Sequence, residues 1–151
     1  MQSRFNESHA QVSPDGKWIS YNSNESGTNE IYVRPFPSGA GQWQISTNGG
    51  SFSRWRADSN EIYYLTSVNN GKMMAVEVKA SDSTFHYETA KELFDSKYLN
   101  YSHPGGGRWH TFAVFRDGKR FVIPRPVEAA PDTSSDSFVV VLNWQSALNK
   151  K

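Results

Sequence analysis

Side chains able to do acid–base, metal or nucleophilic chemistry are few in this chain, and they are scattered. The four histidines are His9, His86, His103 and His110. None of their spacings matches a ligand pattern such as the i, i+4 pair on a helix, and carboxylates do not cluster beside them, so no metal and no cofactor are expected. Cysteine is absent, which excludes disulfides, thiol catalysis and thiolate-held zinc or iron–sulfur sites. Gly49-Gly50-Ser51-Phe52-Ser53 has the outline of a nucleophile elbow, but such an elbow belongs to an α/β domain that this sequence lacks. Gly105-Gly106-Gly107-Arg108 could cradle an anion through successive backbone N–H groups, or serve only as a flexible link. Asp15, Asp58 and Asp117 each stand in a turn of their own. They should accept hydrogen bonds from that turn's backbone and not converge as a catalytic carboxylate cluster.

Those three aspartates mark the elements that position everything else. The turn phrase recurs as Ser13-Pro14-Asp15-Gly16-Lys17, Arg56-Ala57-Asp58-Ser59-Asn60 and Phe115-Arg116-Asp117-Gly118-Lys119. An aromatic or β-branched run follows each one, at Trp18-Ile19-Ser20-Tyr21, Ile62-Tyr63-Tyr64-Leu65 and Phe121-Val122-Ile123. Asp-Gly reaches positive φ cheaply, so this is hairpin chemistry. A further strand follows at Ile31, Met74 and Val139, placed 16, 16 and 22 residues after the turn aspartate, so the third copy carries an insertion. A β repeat of roughly 40 to 50 residues predicts β-propeller blades.

The fold class expected is all-β: three four-stranded antiparallel blades, the last incomplete, forming half a propeller in a single partial domain over 1–151. Blade 1 covers about 8–48, blade 2 about 49–97 and blade 3 about 108–145. In blade 1 the strands are placed at 9–12, 17–23, 30–34 and 43–46. In blade 2 they are placed at 52–55, 61–67, 72–79 and, with one helical turn as the competing reading, 91–94. In blade 3 they are placed at 109–114, 120–123 and 137–144, with 124–132 as a loop. Along 72–79 the all-apolar set Met74, Val76 and Val78 is expected to be the buried face.

Composition agrees with that class. Aromatic residues make up 14% of the chain, and such side chains suit pleated, half-buried surfaces. The net charge of +1, with both signs interspersed, provides no clustered basic face for nucleic acid or anionic lipid. No stretch approaches the roughly 18 apolar residues of a membrane span, and the first residues lack the apolar core of a signal peptide. A cytoplasmic location is therefore expected for the chain as written, an expectation that fails if it is a piece of an exported protein.

The phrases Ser13-Pro14-Asp15-Gly16-Lys17-Trp18-Ile19, Ile45-Ser46-Thr47-Asn48-Gly49-Gly50 and Trp55-Arg56-Ala57-Asp58 resemble the TolB-type, WD40-like propeller repeats of bacteria. More narrowly, Phe5-Asn6-Glu7-Ser8-His9-Ala10-Gln11, Tyr32-Val33-Arg34-Pro35-Phe36-Pro37 and Val140-Val141-Leu142-Asn143-Trp144 resemble the C-terminal blades of propellers fused to eukaryotic-type serine/threonine kinases. The resemblance implies a propeller used for interaction or ligand sensing. It does not extend to kinase activity, because neither the glycine loop nor the His-Arg-Asp phrase is present. Asp58-Ser59-Asn60 departs from the family's Asp-Gly-Lys and leaves the subtype of that turn open.

Aligning the repeats on the turn aspartate sets Ser8, Ser51 and His110 level, then His9, Phe52 and Thr111, then Gln11, Arg54 and Ala113. Innermost strands line a propeller's channel, so His9, Arg54, Arg108 and His110 are the ligand-binding candidates at its mouth. The competing reading makes them ordinary strand-end residues facing water. Three blades leave two blade faces and an outer strand uncovered, and such surfaces drive association. The expected function is a non-catalytic interaction module, a homodimer closing a six-bladed ring and binding a protein or peptide. The alternative is a small-molecule or carbohydrate receptor in which Trp18, Trp43, Trp55 and Trp109 stack on the ligand.

Overall fold

The computed structural model describes residues 4–66, 71–81, 84–95, 112–125 and 137–141. All regular structure in them is β, organised as three antiparallel sheets in chain order. The first sheet holds β1 (Glu7–Val12), β2 (Trp18–Ser23), β3 (Glu30–Pro35) and β4 (Trp43–Gln44), each paired to the next. The second runs β5 (Ser51–Trp55), β6 (Glu61–Leu65) and β7 (Lys72–Ala80), followed by β8 (Phe85–Tyr87) and β9 (Lys91–Asp95), both paired to β7. The third holds β10 (Ala113–Val114), β11 (Phe121–Arg125) and β12 (Ser137–Val141). These sheets are propeller blades.

The three turns are one structure repeated. Gly16, Ser59 and Gly118 have φ of 75°, 62° and 66°. Their N–H groups donate to the carbonyls of Ser13, Arg56 and Phe115 at 2.8, 3.0 and 2.9 Å. Ser59 therefore adopts the glycine conformation, and the turn subtype does not change with the sequence. Each aspartate accepts from the backbone two residues on: Lys17 N–H at 3.2 Å, Asn60 N–H at 3.1 Å and Lys119 N–H at 3.0 Å.

Register carries the equivalence into the strands, since Gln11↔Ser20, Arg54↔Tyr63 and Ala113↔Val122 hold corresponding places. It also corrects the residue counting. Leu65↔Met73 takes the place of Asn22↔Ile31, so Met73, not Met74, answers Ile31. The hairpin of the second blade is one residue shorter, which spacing from the turn could not reveal.

Alternate residues of each strand face the preceding and the following blade. Between blades 1 and 2 lie Trp18, Ile31, Val33 and Ile45 against Ile62, Tyr64, Val76, Val78 and Phe85. Between blades 2 and 3 lie Tyr63, Leu65, Met73, Ala75 and Leu93 against Phe112, Phe121 and Ile123. Both faces of β7 are thus buried, contrary to the one-sided expectation. A blade flanked on both sides has no solvent face near its middle, and the small or flexible Met73 and Ala75 fill the second seam.

Three further expectations change. No strand was expected between 79 and 91, yet Phe85–Tyr87 returns as β8 along Val78–Ala80 and gives blade 2 a fifth strand. Phe85 anchors it, with its ring 4.9 Å from Trp18 and 5.1 Å from Trp43. Strand β4 stops at Gln44, although Ile45 N–H still donates to Ile31 O at 2.7 Å. Strand β11 continues through Pro124 and Arg125, which were expected in a loop, because β12 extends alongside with Pro124↔Phe138 and Arg125↔Ser137. No helix among the described residues is long and apolar enough to cross a membrane.

Candidate functional site

The innermost strands β1, β5 and β10 bring the blades together. Each of the first two carries a bulge at the same repeat position, between Ser8 and Gln11 and between Ser51 and Arg54. An extra residue in each bulge takes the left-handed conformation, His9 at φ 54° and Phe52 at φ 60°. Their rings meet edge to face at 4.4 Å, with His9 Nδ1 also 2.9 Å from Ser8 Oγ.

Arg54 turns the other way, towards blade 3. Its guanidinium lies 5.7 Å over the Phe112 ring, and Nη1 donates to Ser53 O at 2.8 Å. Burial lowers its pKa, but a guanidinium stays charged. His9 and Arg54 therefore sit on adjacent inner strands, His9 edge to face with an aromatic ring of the following blade and Arg54 over one. Arg108 and His110, with His103, Trp109 and the Gly105–Gly107 run, lie outside the described residues. Among the described residues no three His, Asp or Glu side chains form a group that could hold a metal ion.

Trp18, Trp43 and Trp55 pack between blades 1 and 2. Trp18 is buried and meets Trp43 edge to face at 5.6 Å, while half-buried Trp55 donates from Nε1 to Gln11 O at 3.1 Å. Ser20 and Ser53 share a hydrogen bond of 2.8 Å across the same seam.

Two polar assemblies were not foreseen. One encloses Glu30 at the start of β3, where its carboxylate accepts from Gly49 N–H at 2.8 Å, Thr28 Oγ1 at 3.3 Å and the Ser46 hydroxyl. Ser46 Oγ in turn accepts Ile31 N–H at 2.8 Å. Comparing repeats by strand register would have flagged it, because a carboxylate there opens a strand that buries both faces.

The other links the turns. Arg56 forks onto Asp58 at 2.7 and 2.9 Å and reaches Glu61 Oε2 at 2.8 Å. The Tyr63 hydroxyl donates to that same Oε2 at 2.6 Å and lies 3.2 Å from Gly118 O in blade 3. Burial first, then the Glu61 hydrogen bond and charge, raises the Tyr63 pKa. The Arg56 hydrogen bonds hold the Asp58 carboxyl down at about 2. A pKa lowered on folding contributes stability that is present above the unfolded value of about 4 and is lost as pH falls towards 2. Urea midpoints of the native protein and Asp58→Asn are therefore expected to differ at pH 6 and to converge between about pH 4 and pH 2. A constant difference across that range would refute the pairing.

No protein-family model matches the chain, and no curated protein matches it. Solved structures do. TolB from Acinetobacter baumannii, a β-propeller, superposes with a TM-score of 0.56 at 18% identity over 82% of this chain and 27% of that one. An acylaminoacyl peptidase from Pyrococcus horikoshii gives 0.56 at 15% identity, over 92% of this chain and 23% of that one. A putative 6-phosphogluconolactonase from Bacteroides uniformis gives 0.53 at 14% identity, over 83% and 34%. The chain thus spans only 23 to 34% of the length of these three structures, and what it shares with TolB is the fold of propeller blades.

Proposed function

We propose that this chain is a non-catalytic interaction module that completes a six-bladed ring by head-to-tail self-association and presents the ring to a protein or peptide. The carrying observation is a mismatch between equivalent positions. Ile62 and Phe121, which seal the seams in front of blades 2 and 3, are fully buried, whereas their counterpart Ile19 in blade 1 is only half-buried. Val12, the counterpart of the packed Trp55 and Val114, is 44% exposed. On the opposite end, Val122 is half-buried where the equivalent Tyr63 and Ser20 are buried, and Ala113 is exposed where the equivalent Gln11 and Arg54 are half-buried.

Repeat equivalence makes these two surfaces complementary. The back of blade 1 is built as the surface a preceding blade would cover, and the front of blade 3 as one that would cover a following blade. A second copy supplies both, and two chains give six blades, within the usual range of four to eight. The ring acts by shape and polar contacts, with no covalent chemistry, and its channel mouth would include His9 and Arg54.

Light scattering at micromolar concentration should return twice the chain mass of 17.1 kDa. Val122→Asp should halve that mass while leaving the β circular-dichroism spectrum intact, because a carboxylate cannot be buried unpaired in the new seam. A monomer mass for the native chain, or an unaltered dimer in Val122→Asp, would reject ring closure.

A further inference from the structure

A second surface lies wholly within one chain, at the seam between blades 1 and 2 and away from the inner strands. It is a cleft of about 550 Å³, bounded by Gln44 and Asn48 on one side and by Tyr64, Lys72, Tyr87 and Glu92 on the other. Its volume falls in the range of about 300–1,000 Å³ typical of small-molecule sites. Tyr64 is only 3% exposed, yet its hydroxyl has no hydrogen-bond partner among the described residues. That hydroxyl is not among the polar atoms shut off from solvent, so it opens on the cleft and is free to donate to a ligand there.

We propose that this cleft binds a neutral carbohydrate, with the Tyr64 hydroxyl donating to a sugar oxygen and the Tyr87 ring stacking on a sugar face. The lining chemistry selects that class. Tyr87 is 41% exposed and is held by the Phe85 ring at 6.2 Å, so its ring is both accessible and braced. A pyranose offers apolar C–H faces to such a ring and hydroxyls around its rim.

The Asn48 side-chain amide is exposed and makes no hydrogen bond within the described residues, which leaves a donor and an acceptor for those hydroxyls. The carboxylates at the rim are each paired with a lysine, Glu92 with Lys72 at 2.6 Å and Glu88 with Lys79 at 3.6 Å, and therefore favour neither an anion nor a cation. Burial, with the nearby Glu30 charge adding to it, pushes the Tyr64 pKa up to about 12, so the phenol remains a donor throughout the physiological range.

The test is calorimetric titration of the intact chain with glucose, galactose, N-acetylglucosamine and their β-1,4-linked disaccharides, with trialanine as the peptide probe. At least one sugar should bind saturably at millimolar concentration or tighter. Tyr64→Phe and Tyr87→Ala should each weaken it by about tenfold, the loss expected for one hydrogen bond or one stacked ring. Tyr64→Phe should leave the urea midpoint of the unliganded protein unchanged or higher, because the hydroxyl it removes has no partner to lose. Saturation by trialanine alone, by no sugar, or undiminished in both variants would overturn the assignment, as would a lower midpoint for Tyr64→Phe. Each arm is independent of oligomeric mass, so failure of ring closure would not be mistaken for failure of this site.

Discussion

Phe121→Ala is expected to destabilise the protein by about 4 kcal/mol, in the upper part of the range for phenylalanine truncation in a packed core. Phe121 is fully buried and is the point where blade 3 grips blade 2. Its ring meets Tyr63 edge to face at 5.1 Å, Phe94 at 5.5 Å and Phe112 at 6.5 Å. Truncation removes its own burial and leaves a cavity that these rings cannot close. Tyr63 is tied by its hydroxyl to Glu61, and Phe94 belongs to β9, which pairs with β7.

Urea unfolding followed by tryptophan fluorescence measures the effect. A parallel Val114→Ala, at a partly buried position of the same seam, should cost much less, about 1 kcal/mol. Equal losses in the two variants, or a loss below about 1 kcal/mol for Phe121→Ala, would mean that this seam does not hold the blades together.

The second large effect concerns Glu30, which is 1% exposed. Glu30→Ala should cost about 3 kcal/mol, because it strands the Gly49 N–H and the Ser46 hydroxyl in a buried place. No side chain can move in to replace it. A Cβ at the adjoining Gly50 would already lie 2.3 Å from Ser46 Oγ and 2.9 Å from Ile31 Cγ1, so the packing is closed on that side.

Glu30→Gln keeps one carbonyl oxygen for Gly49 and offers an amide to the Ser46 oxygen, so it should cost only about 1 kcal/mol. The comparison separates hydrogen bonding from volume, and glutamine as damaging as alanine would show that the negative charge itself is required. The consequence reaches function, since the Gly49 and Asn48 backbone forms one wall of the seam cleft. Glu30 thus positions a proposed sugar-binding surface that it does not line.

Much of this architecture is readable in the chain. The threefold turn phrase carries its own geometry, because Asp-Gly specifies a left-handed residue and a side-chain cap locally. Even Ser59 follows the pattern, since the flanking strands impose the same turn. Alternation of polar and apolar residues then identified most strands, whose hydrogen bonding is set by near neighbours.

Relations between blades were much less legible. Period-two alternation assumes one wet face, and β7 has none, so half of its buried residues were assigned to solvent. Strand β8 went unseen because Phe85-His86-Tyr87 is too short to show a period, and the two blade 1 tryptophans that fix Phe85 are distant in sequence.

The candidate site divides along the same line. His9 and Arg54 could be placed on inner strands by repeat alignment alone, and they are there. That each meets a ring of the next blade, and that Tyr64 arrives unpaired at a cleft beside Asn48, depends on how neighbouring blades rotate against each other. The sequence by itself determined the repeat, the turn and the strand order, because these are governed by residues close along the chain. Only the tertiary structure decided which faces are buried, which polar groups remain unsatisfied and where a ligand could enter, because those follow from packing between blades some 43 to 59 residues apart.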